Sequence, residues 1–594
     1  MQSLRQYCAL SKRILDENRH TIEEVGVETC QAVSTRTQQE QRQAALRGTT
    51  SGNFDIHQTL QLSAHTLRSD LQPAVDIERA DWDLDLGDRM PRSTIYQADD
   101  ARYCVTATGV DMAEENGKPD REKPFVVSFE REDDPNDPHN WRPYYRALCT
   151  AYLSFMAAAV EFVSVADSLG IEEAAVGGKI NREVKFLMTG GYLIGLGFGC
   201  LCSAPFSEVF GRNPVYIFSL TGLCFMLIIQ HFQHARGYKV IIRTIGAFLG
   251  SGTTVSSAGA TSDIWTRLDR SYIFAIYVCI VFAGPLLASI IGPIIITTYK
   301  ITIFPAQMTF TSLAWGVAVF LMPETYAPVI LFWKAKILRK LTGQSRFKAP
   351  MELKRVAFRR RMQHALSRPF RFLYKDTMLA LVVAYTGLNY IITYQMFSAV
   401  PLLFVTEYGF SLYHEGLAFI PAIGGIFLCA PAVVFNYRIL KKRLIMALEK
   451  GYTGVEPEIG LFLAMAGAPA IPISLFWMAW TGRPSISFWA PMMSTTLYSY
   501  GVVCVTISVF QYATDNFESY AASAQASVLM VRYVAAGAMA EVAVPIHQHL
   551  QIRGDLSLFG GLSVLMVPVP FLLYRYAYKI QKSKYRSQTR ITQD

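Results

Sequence analysis

Twelve apolar runs of about 20 residues each are the feature that most limits how this 594-residue chain can fold. A helix rises about 1.5 Å per residue, so a run of that length crosses a hydrocarbon core of roughly 30 Å. Backbone polar groups must be paired in lipid, and the runs lack the alternation of barrel strands. The sequence therefore predicts an all-α membrane protein. The predicted spans are residues 145–166, 184–206, 214–231, 239–260, 271–297, 303–322, 377–400, 415–436, 459–480, 486–511, 521–545 and 556–577.

The spans form two sets of six on either side of a basic segment. The polar composition of the first 140 residues, without a sustained helical apolar period, predicts disorder there. The expected domains are a disordered cytoplasmic tail (1–140), an N-terminal six-helix half (141–325), a basic cytoplasmic central loop (326–375), a C-terminal six-helix half (376–580) and a cytoplasmic tail (581–594).

The sidedness of the chain follows from its basic residues. Fourteen Lys and Arg residues between 332 and 375 place the central loop inside by the positive-inside rule. An even number of spans on each side then places both termini inside. Lys179, Arg182 and Lys185 oppose this assignment, because they fall on a predicted outside loop.

Composition also excludes several classes of function. The ten cysteines are scattered, without CxxC pairs or a His/Cys cluster at zinc spacing. The net charge of +9 comes from loops between apolar runs, which is typical of contact with anionic lipid rather than nucleic acid. Walker, GxSxG and HExxH motifs are absent. We therefore expect no metal, cofactor, nucleic-acid partner or enzymatic activity, and a monomer surrounded by membrane lipid.

Short motifs occur in order around the spans. The chain reads DPNDPHNW at 134–141, APFSEVFGRNPVY at 204–216 and PETYAPV at 323–329. As a set they resemble those of the major facilitator superfamily, in its fungal drug:proton antiporter family of the drug/polyamine type. The resemblance covers about residues 133–585.

That resemblance implies a twelve-helix fold in which two six-helix halves surround a central cleft. It also implies proton-coupled export of small organic molecules (drug-, toxin- or polyamine-like) by alternating access. The plasma membrane is the expected location, with a vacuolar membrane as the alternative. The fifth span departs from the family pattern at Ala288 and Ser289, and the segment from Tyr299 to Ala306 is several residues short. A membrane sensor that has lost transport is therefore the alternative function.

A gate is expected where the second span meets the third. Gly211 permits a tight turn, and Arg212 has five donors for nearby helix ends and acidic groups. The alternative is a simple positive-inside anchor. The predicted gate residues are Glu208, Gly211, Arg212, Asp263 and Arg270.

Ionisable groups inside spans are the candidates for proton coupling, because each costs roughly 2.5–3.5 kcal/mol at mid-bilayer. Glu161 and Arg243 lie at matching depths in the first and fourth spans, so we expect them to pair and Glu161 to carry the proton. The alternative is that Glu161 only reaches the interface. Glu541, in the eleventh span, is either a proton or substrate-cation site or a side chain that reaches outward, and it lies on the opposite helix face from Arg532.

The seventh span is the predicted substrate-lining helix. Aromatic rings with a few amides suit flat, amphipathic or cationic small-molecule substrates, and positions 390, 394 and 397 share one helix face. Ordinary helix packing is the alternative. The candidates are Tyr385, Asn389, Tyr390, Tyr394, Gln395 and Phe397.

Overall fold

A computed structural model gives the structure of the chain. It describes residues 2–3, 5–7, 9–11, 13, 125–129, 134–169, 182–233, 236–342, 347–353, 370, 374, 377–449, 460–516 and 521–576.

The N-terminal half contains six helices within the described residues. A 3-10 turn at Pro138–Asn140 precedes the first of them. The helices are α1 (Pro143–Leu169), α2 (Arg182–Phe210), α3 (Arg212–Phe232), α4 (Arg236–Ile264), α5 (Arg267–Tyr299) and α6 (Phe304–Phe320).

A central segment and the C-terminal half follow. The segment contains α7 (Ala327–Thr342) and the short α8 (Pro350–Leu353). Gln551 has a φ of 54°, which breaks the last long helix in two. The helices of the C-terminal half are α9 (Thr377–Tyr408), α10 (Leu412–Leu417), α11 (Ile420–Glu449), α12 (Phe462–Gly467), α13 (Ala470–Thr481), α14 (Trp489–Asn516) and α15 (Ala521–Met566).

Every predicted span coincides with helix. Within the described residues, nine helices are long and apolar enough to cross a membrane. The other three predicted spans lie on α4, α6 and the first part of α15. Helix α4 carries Arg243 among many Ser and Thr residues, and α6 has only 17 residues. The polar content of α4 and the short length of α6 explain why these two helices are not among the nine. A helix packed inside a bundle needs fewer apolar residues than a helix that faces lipid.

The two halves each pack around their own core and then meet along a few helices. In the N-terminal half, α1 packs against α4, α5 and α6, and α2 packs against α4. In the C-terminal half, α9 packs against α15, and α14 packs against α11 and α13. The halves meet where α2 faces α15 and where α5 faces α10, α11 and α14. At the first of these interfaces a Cβ on Gly537 would lie 2.8 Å from the Gly190 carbonyl oxygen, so small residues allow the close approach.

The shortened connection between the fifth and sixth spans keeps its helix packing. Helix α5 continues through Pro285 and Pro293, and α6 begins at Phe304. The Phe310 ring stacks on the Phe162 ring with centroids 4.6 Å apart, which holds α6 against α1. Helix α6 therefore packs on α1 directly after this short connection.

The central segment and the N-terminal tail contribute a second compact unit, within Arg5–Glu132 and Phe332–Pro350. Strand β1 (Phe125–Val126) pairs in parallel with β2 (Phe347–Lys348). The Lys334 ammonium donates to the Ser128 carbonyl oxygen at 3.2 Å. The expectation of disorder over 1–140 is therefore wrong at these described positions, because their order comes from distant pairing that local composition does not show. The remainder of the expected tail lies largely outside the described residues.

Candidate functional site

The turn between α2 and α3 is built around Gly211 and Arg212. Gly211 has a φ of 97°, in the region that favours glycine. The Arg212 guanidinium is buried and donates to Asp263 at 3.0 Å and to the Ser207 hydroxyl at 2.7 Å. It also lies over the Tyr326 ring, 4.8 Å from the centroid. Arg212 therefore contacts Asp263, one of the expected gate residues, in a site where the guanidinium is buried and the carboxylate is partly exposed.

Glu324 is a functional residue of this turn that sequence reasoning did not single out. Its carboxylate accepts the backbone N–H groups of Arg212 at 2.9 Å and Asn213 at 3.2 Å, and so caps the first turn of α3. Burial raises the pKa of Glu324, and the backbone donors of Arg212, Tyr326 and Asn213 oppose that rise. The only signal in the sequence was an acidic residue in the PETYAPV segment.

Two further contacts at this end cross between the halves. The Ser523 hydroxyl on α15 donates to Glu208 at 2.9 Å. Arg270 on α5 pairs with Asp515 on α14, with the nearest atoms 3.6 Å apart. Arg270 thus differs from the expectation that it joins the Arg212 cluster, because its position in the first turn of α5 directs it toward the other half.

Glu161 lies at the centre of the bundle, and its partner is not the expected one. The side chain is 1% exposed, so it does not reach the membrane interface. It accepts a hydrogen bond from the Tyr533 hydroxyl and pairs with Arg532 at 3.9 Å. Arg532 in turn donates to the Tyr533 oxygen at 2.9 Å. Tyr533 therefore bridges a carboxylate of the N-terminal half and a guanidinium of the C-terminal half.

Arg243 contacts the backbone of the helix that carries Glu161. It donates to the carbonyl oxygens of Val163 at 2.8 Å, Ser164 at 3.1 Å and Met188 at 3.0 Å, and lies over the Tyr192 ring at 4.8 Å. The expected pair of Arg243 with Glu161 is therefore absent from the described contacts of Glu161. Matching depth in the first and fourth spans does not determine how each helix is rotated about its own axis. The rotation of α4 directs Arg243 toward backbone carbonyl oxygens of α1 rather than toward the Glu161 side chain.

Arg532 is enclosed by aromatic rings. Its guanidinium carbon lies 4.4 Å from the centroid of Tyr390, 4.7 Å from that of Tyr533 and 5.2 Å from that of Phe510. Aromatic faces attract cations electrostatically, and more strongly when water is excluded. These contacts and the bridge to Glu161 stabilise a charge that lies deep in the bundle.

A small cavity lies next to this pair and is lined by both halves. Helices α1, α4 and α5 line one side, and α9, α14 and α15 line the other. Its walls are mainly apolar with a few polar groups, which is the composition of small-molecule sites. The polar groups are Glu161, Thr254, Tyr277, Tyr390, Thr506 and Arg532.

The seventh-span candidates divide between the cavity and packing contacts. Tyr390 lines the cavity. Tyr394 follows it on the same face, with ring centroids 5.4 Å apart, and Phe397 follows Tyr394 at 5.8 Å, so the shared face is confirmed. Tyr385 and Asn389 are buried on α9 and are not among the cavity-lining residues.

Gln395 has a different environment from the aromatic row. Its amide donates to both carboxylate oxygens of the buried Asp555, at 3.0 Å each, and so joins α9 to the last span. One residue along a helix is a turn of about 100°, which separates Gln395 from Tyr394. The Glu541 side chain lies outside the described residues.

The family of the chain follows from its match to known proteins. The model of the Major Facilitator Superfamily matches residues 147–540. The chain belongs to this superfamily. The MFS-type transporter kojT of Aspergillus flavus is 36% identical over 77% of this chain and 82% of its own length. The superfamily multidrug transporter FLU1 of Candida albicans is 28% identical over 78% of this chain and 76% of its own length.

Two solved structures of superfamily members are also similar to this chain. They are the xylose transporter XylE of E. coli (TM-score 0.47, 13% identity, 73% of this chain and 98% of that chain) and the human organic anion transporter MFSD10 (TM-score 0.48, 14% identity, 72% and 100%). As a superfamily member, this chain is a multi-pass membrane transporter with the major facilitator fold, and it is not an enzyme. Such transporters bind small-molecule substrates.

Proposed function

We propose that the chain is a proton-coupled secondary transporter that exports small organic molecules by alternating access. The observation that carries the proposal is the Glu161–Tyr533–Arg532 bridge, which joins the two halves beside a cavity that both halves line. The similarity to the multidrug transporter FLU1 supports transport of organic compounds, and the motif resemblance supports outward, proton-driven movement. The plasma membrane is the proposed location.

Protonation of Glu161 is the step that couples the proton to the movement of the halves. A charged Glu161 attracts Arg532 and accepts a hydrogen bond from the Tyr533 hydroxyl, so it links α1 to α15 inside the bundle. Protonation neutralises Glu161, which removes its attraction for Arg532, so Arg532 can then bind other groups. Because an intramembrane charge without a partner costs roughly 2.5–3.5 kcal/mol, this exchange of partners is large enough to change which arrangement of the halves is favoured.

The end of the bundle near Arg212 acts as the gate in this proposal. Glu208–Ser523 and Arg270–Asp515 hold the halves together there, and Arg212, Asp263 and Gly211 fix the turn beside them. These contacts must separate for the cavity to open at that end. The Tyr390, Tyr394 and Phe397 row, next to the cavity, is proposed to guide the substrate.

Glu161→Gln tests the coupling. A resistance screen in a transport-deficient host, read with and without a protonophore, first identifies a transported compound. The purified full chain is then reconstituted into vesicles, and uptake of that compound is measured under an imposed pH gradient. Glu161→Gln should bind the compound but lose the response of uptake to the gradient, because glutamine cannot exchange a proton.

The matched control is Glu407→Gln at the end of α9, outside the cavity lining. It removes the same charge and should retain gradient-driven uptake. Normal gradient-driven uptake by Glu161→Gln at normal expression would refute the coupling role. Binding without flux in the unmodified chain would instead indicate the membrane sensor.

A further inference from the structure

The cavity contains one pair of opposite charges and no surplus negative charge. Among its lining residues Glu161 is the one carboxylate and Arg532 the one cation. Their separation of 3.9 Å leaves the pair neutral as a unit. A substrate cation entering this space would add an uncompensated charge among mainly apolar walls, which is strongly unfavourable.

The aromatic faces that would attract a substrate cation are already used. Arg532 lies over Tyr390, Phe510 and Tyr533 at 4.4–5.2 Å, so it occupies the cation site that these three rings form. A substrate amine would have to displace a guanidinium that is covalently attached and held by Glu161. The chain therefore carries its own cation in the place where a polyamine or an organic cation would bind.

Both members of the pair keep hydrogen-bonding capacity. Within the described residues, Arg532 Nε is a buried donor without a partner, and Glu161 Oε2 is a buried acceptor without one. Buried polar groups in this condition are rare and favour a ligand, a water molecule or a proton at that point. A carboxylate from a ligand would satisfy the arginine donor, and a proton would satisfy Glu161.

We propose that the cargo of this cavity is a small organic anion, which binds Arg532 when a proton neutralises Glu161. The hydroxyl-bearing side chains of Thr254, Tyr277 and Thr506 line the same space. The proposal rests on the proton-coupled transport of the proposed function and narrows its substrates. Because the anion and the proton bind together, both cross the membrane in the same direction, which differs from the outward, proton-driven movement that the motif resemblance implies. The proposal favours acids over the polyamine-like compounds that the motif resemblance suggests.

Protonation of Glu161 takes place among several other ionisable groups. Arg243 lies behind it on α4 and donates to the α1 backbone. The other groups with which Glu161 interacts electrostatically are Tyr192 and Cys200 on α2, Tyr277 on α5, Tyr390 and Tyr394 on α9, and Arg532 and Tyr533 on α15. Tyrosine and cysteine ordinarily stay neutral below about pH 8, so Glu161 is the group of this set that changes charge in the acid range.

Three compounds with one ring scaffold test the charge preference. They are para-hydroxybenzoate, para-hydroxybenzyl alcohol and para-hydroxybenzylamine, titrated by calorimetry into the purified full chain at about pH 5.5 and about pH 7.5. The acid is ionised at both pH values, so a change in its affinity reports on the protein. The acid should bind most tightly of the three, and more tightly at the lower pH.

Variants of the pair separate the two roles. Glu161→Gln should raise the affinity for the acid at the higher pH by about 10- to 100-fold, the range expected when a charged hydrogen bond becomes available to the ligand, and should abolish the pH dependence. Arg532→Gln should abolish binding of the acid, and Arg532→Lys should retain part of it, which shows that the site still folds. Glu407→Gln should behave as the unmodified chain.

The outcomes are decisive and distinguish this inference from the transport proposal. Tightest binding of the amine, no binding of the acid, or an unchanged pH dependence in Glu161→Gln would overturn the inference. Proton-driven flux of the amine in vesicles would support transport and overturn the inference. Binding of the acid that depends on Glu161 and Arg532, without any flux, would support the inference and remove the transport proposal.

Discussion

Single residues set the geometry of the turn between α2 and α3. Gly211 adopts a positive φ, and the Glu324 carboxylate approaches so closely that a Cβ on Gly211 would lie 2.6 Å from its Oε2. The motif around Gly211 and Arg212 predicted a tight turn with a buried arginine contact. The capping role of Glu324 was not predictable, because its partners are more than one hundred residues away in the chain.

Gly211→Ala should therefore lower the stability of the transporter. A side chain at this φ adds roughly 1–3 kcal/mol of backbone strain, and the Glu324 cap must also shift. Thermal unfolding in detergent should show a fall of several degrees in Tm. Gly316→Ala in α6 is the matched control, because a Cβ there meets nothing within 4 Å and alanine favours a helix. A Tm for Gly211→Ala equal to that of the control would contradict the strain argument.

At the scale of elements, α5 is the helix of the N-terminal half that makes the most varied contacts with the other half. Near its start, Arg270 pairs with Asp515, and the Tyr272 ring meets the Tyr437 ring edge-on with centroids 5.4 Å apart. Further along, a Cβ on Gly416 would lie 3.1 Å from Pro293. The fifth span was predicted from its apolar length, but its role between the halves depends on which face turns toward α11 and α14.

Asp515→Asn should loosen the halves at the Arg212 end. The pair with Arg270 is mostly buried. If its loss destabilises the arrangement in which the halves touch at this end by about 1 kcal/mol, the population in which they are apart rises about fivefold. Hydrogen–deuterium exchange of the first turns of α5 should therefore rise several-fold. Glu407→Gln at the end of α9 is the control, since it removes a carboxylate outside α5 and α14. Equal exchange in the two variants would argue against a gate contact.

At the scale of the whole molecule, two helical halves enclose one cavity whose charges come from both. The pairing of Glu161 with Arg532 brings together residues that are 371 positions apart. The twelve predicted spans each lie on helix, and six before the central segment and six after it give the chain an even number.

An even number of spans requires both ends of the chain to lie on the same side of the membrane. Single cysteines placed near residue 120 and near residue 590, in a background without reactive native thiols, should react with an impermeant maleimide from the same side. A cysteine placed near residue 235, between α3 and α4, should react from the opposite side to a cysteine placed at the α2–α3 turn, because one span, α3, separates the two positions. Labelling of the two termini from opposite sides would refute the twelve-span fold.

Apolar run lengths and short motifs were sufficient to predict the helical membrane class, the division into six and six spans and the superfamily. These features depend on apolar length and on neighbouring residues, which composition and short motifs record. Only the tertiary structure decided that Glu161 pairs with Arg532 through Tyr533, that Arg243 binds the α1 backbone, that Arg270 meets Asp515 and that Gln395 binds Asp555. Each of these depends on the rotation of a helix about its axis, and a single residue of rotation turns a side chain by about 100°. Helices that are apolar on nearly every face leave that rotation to the packing of their neighbours.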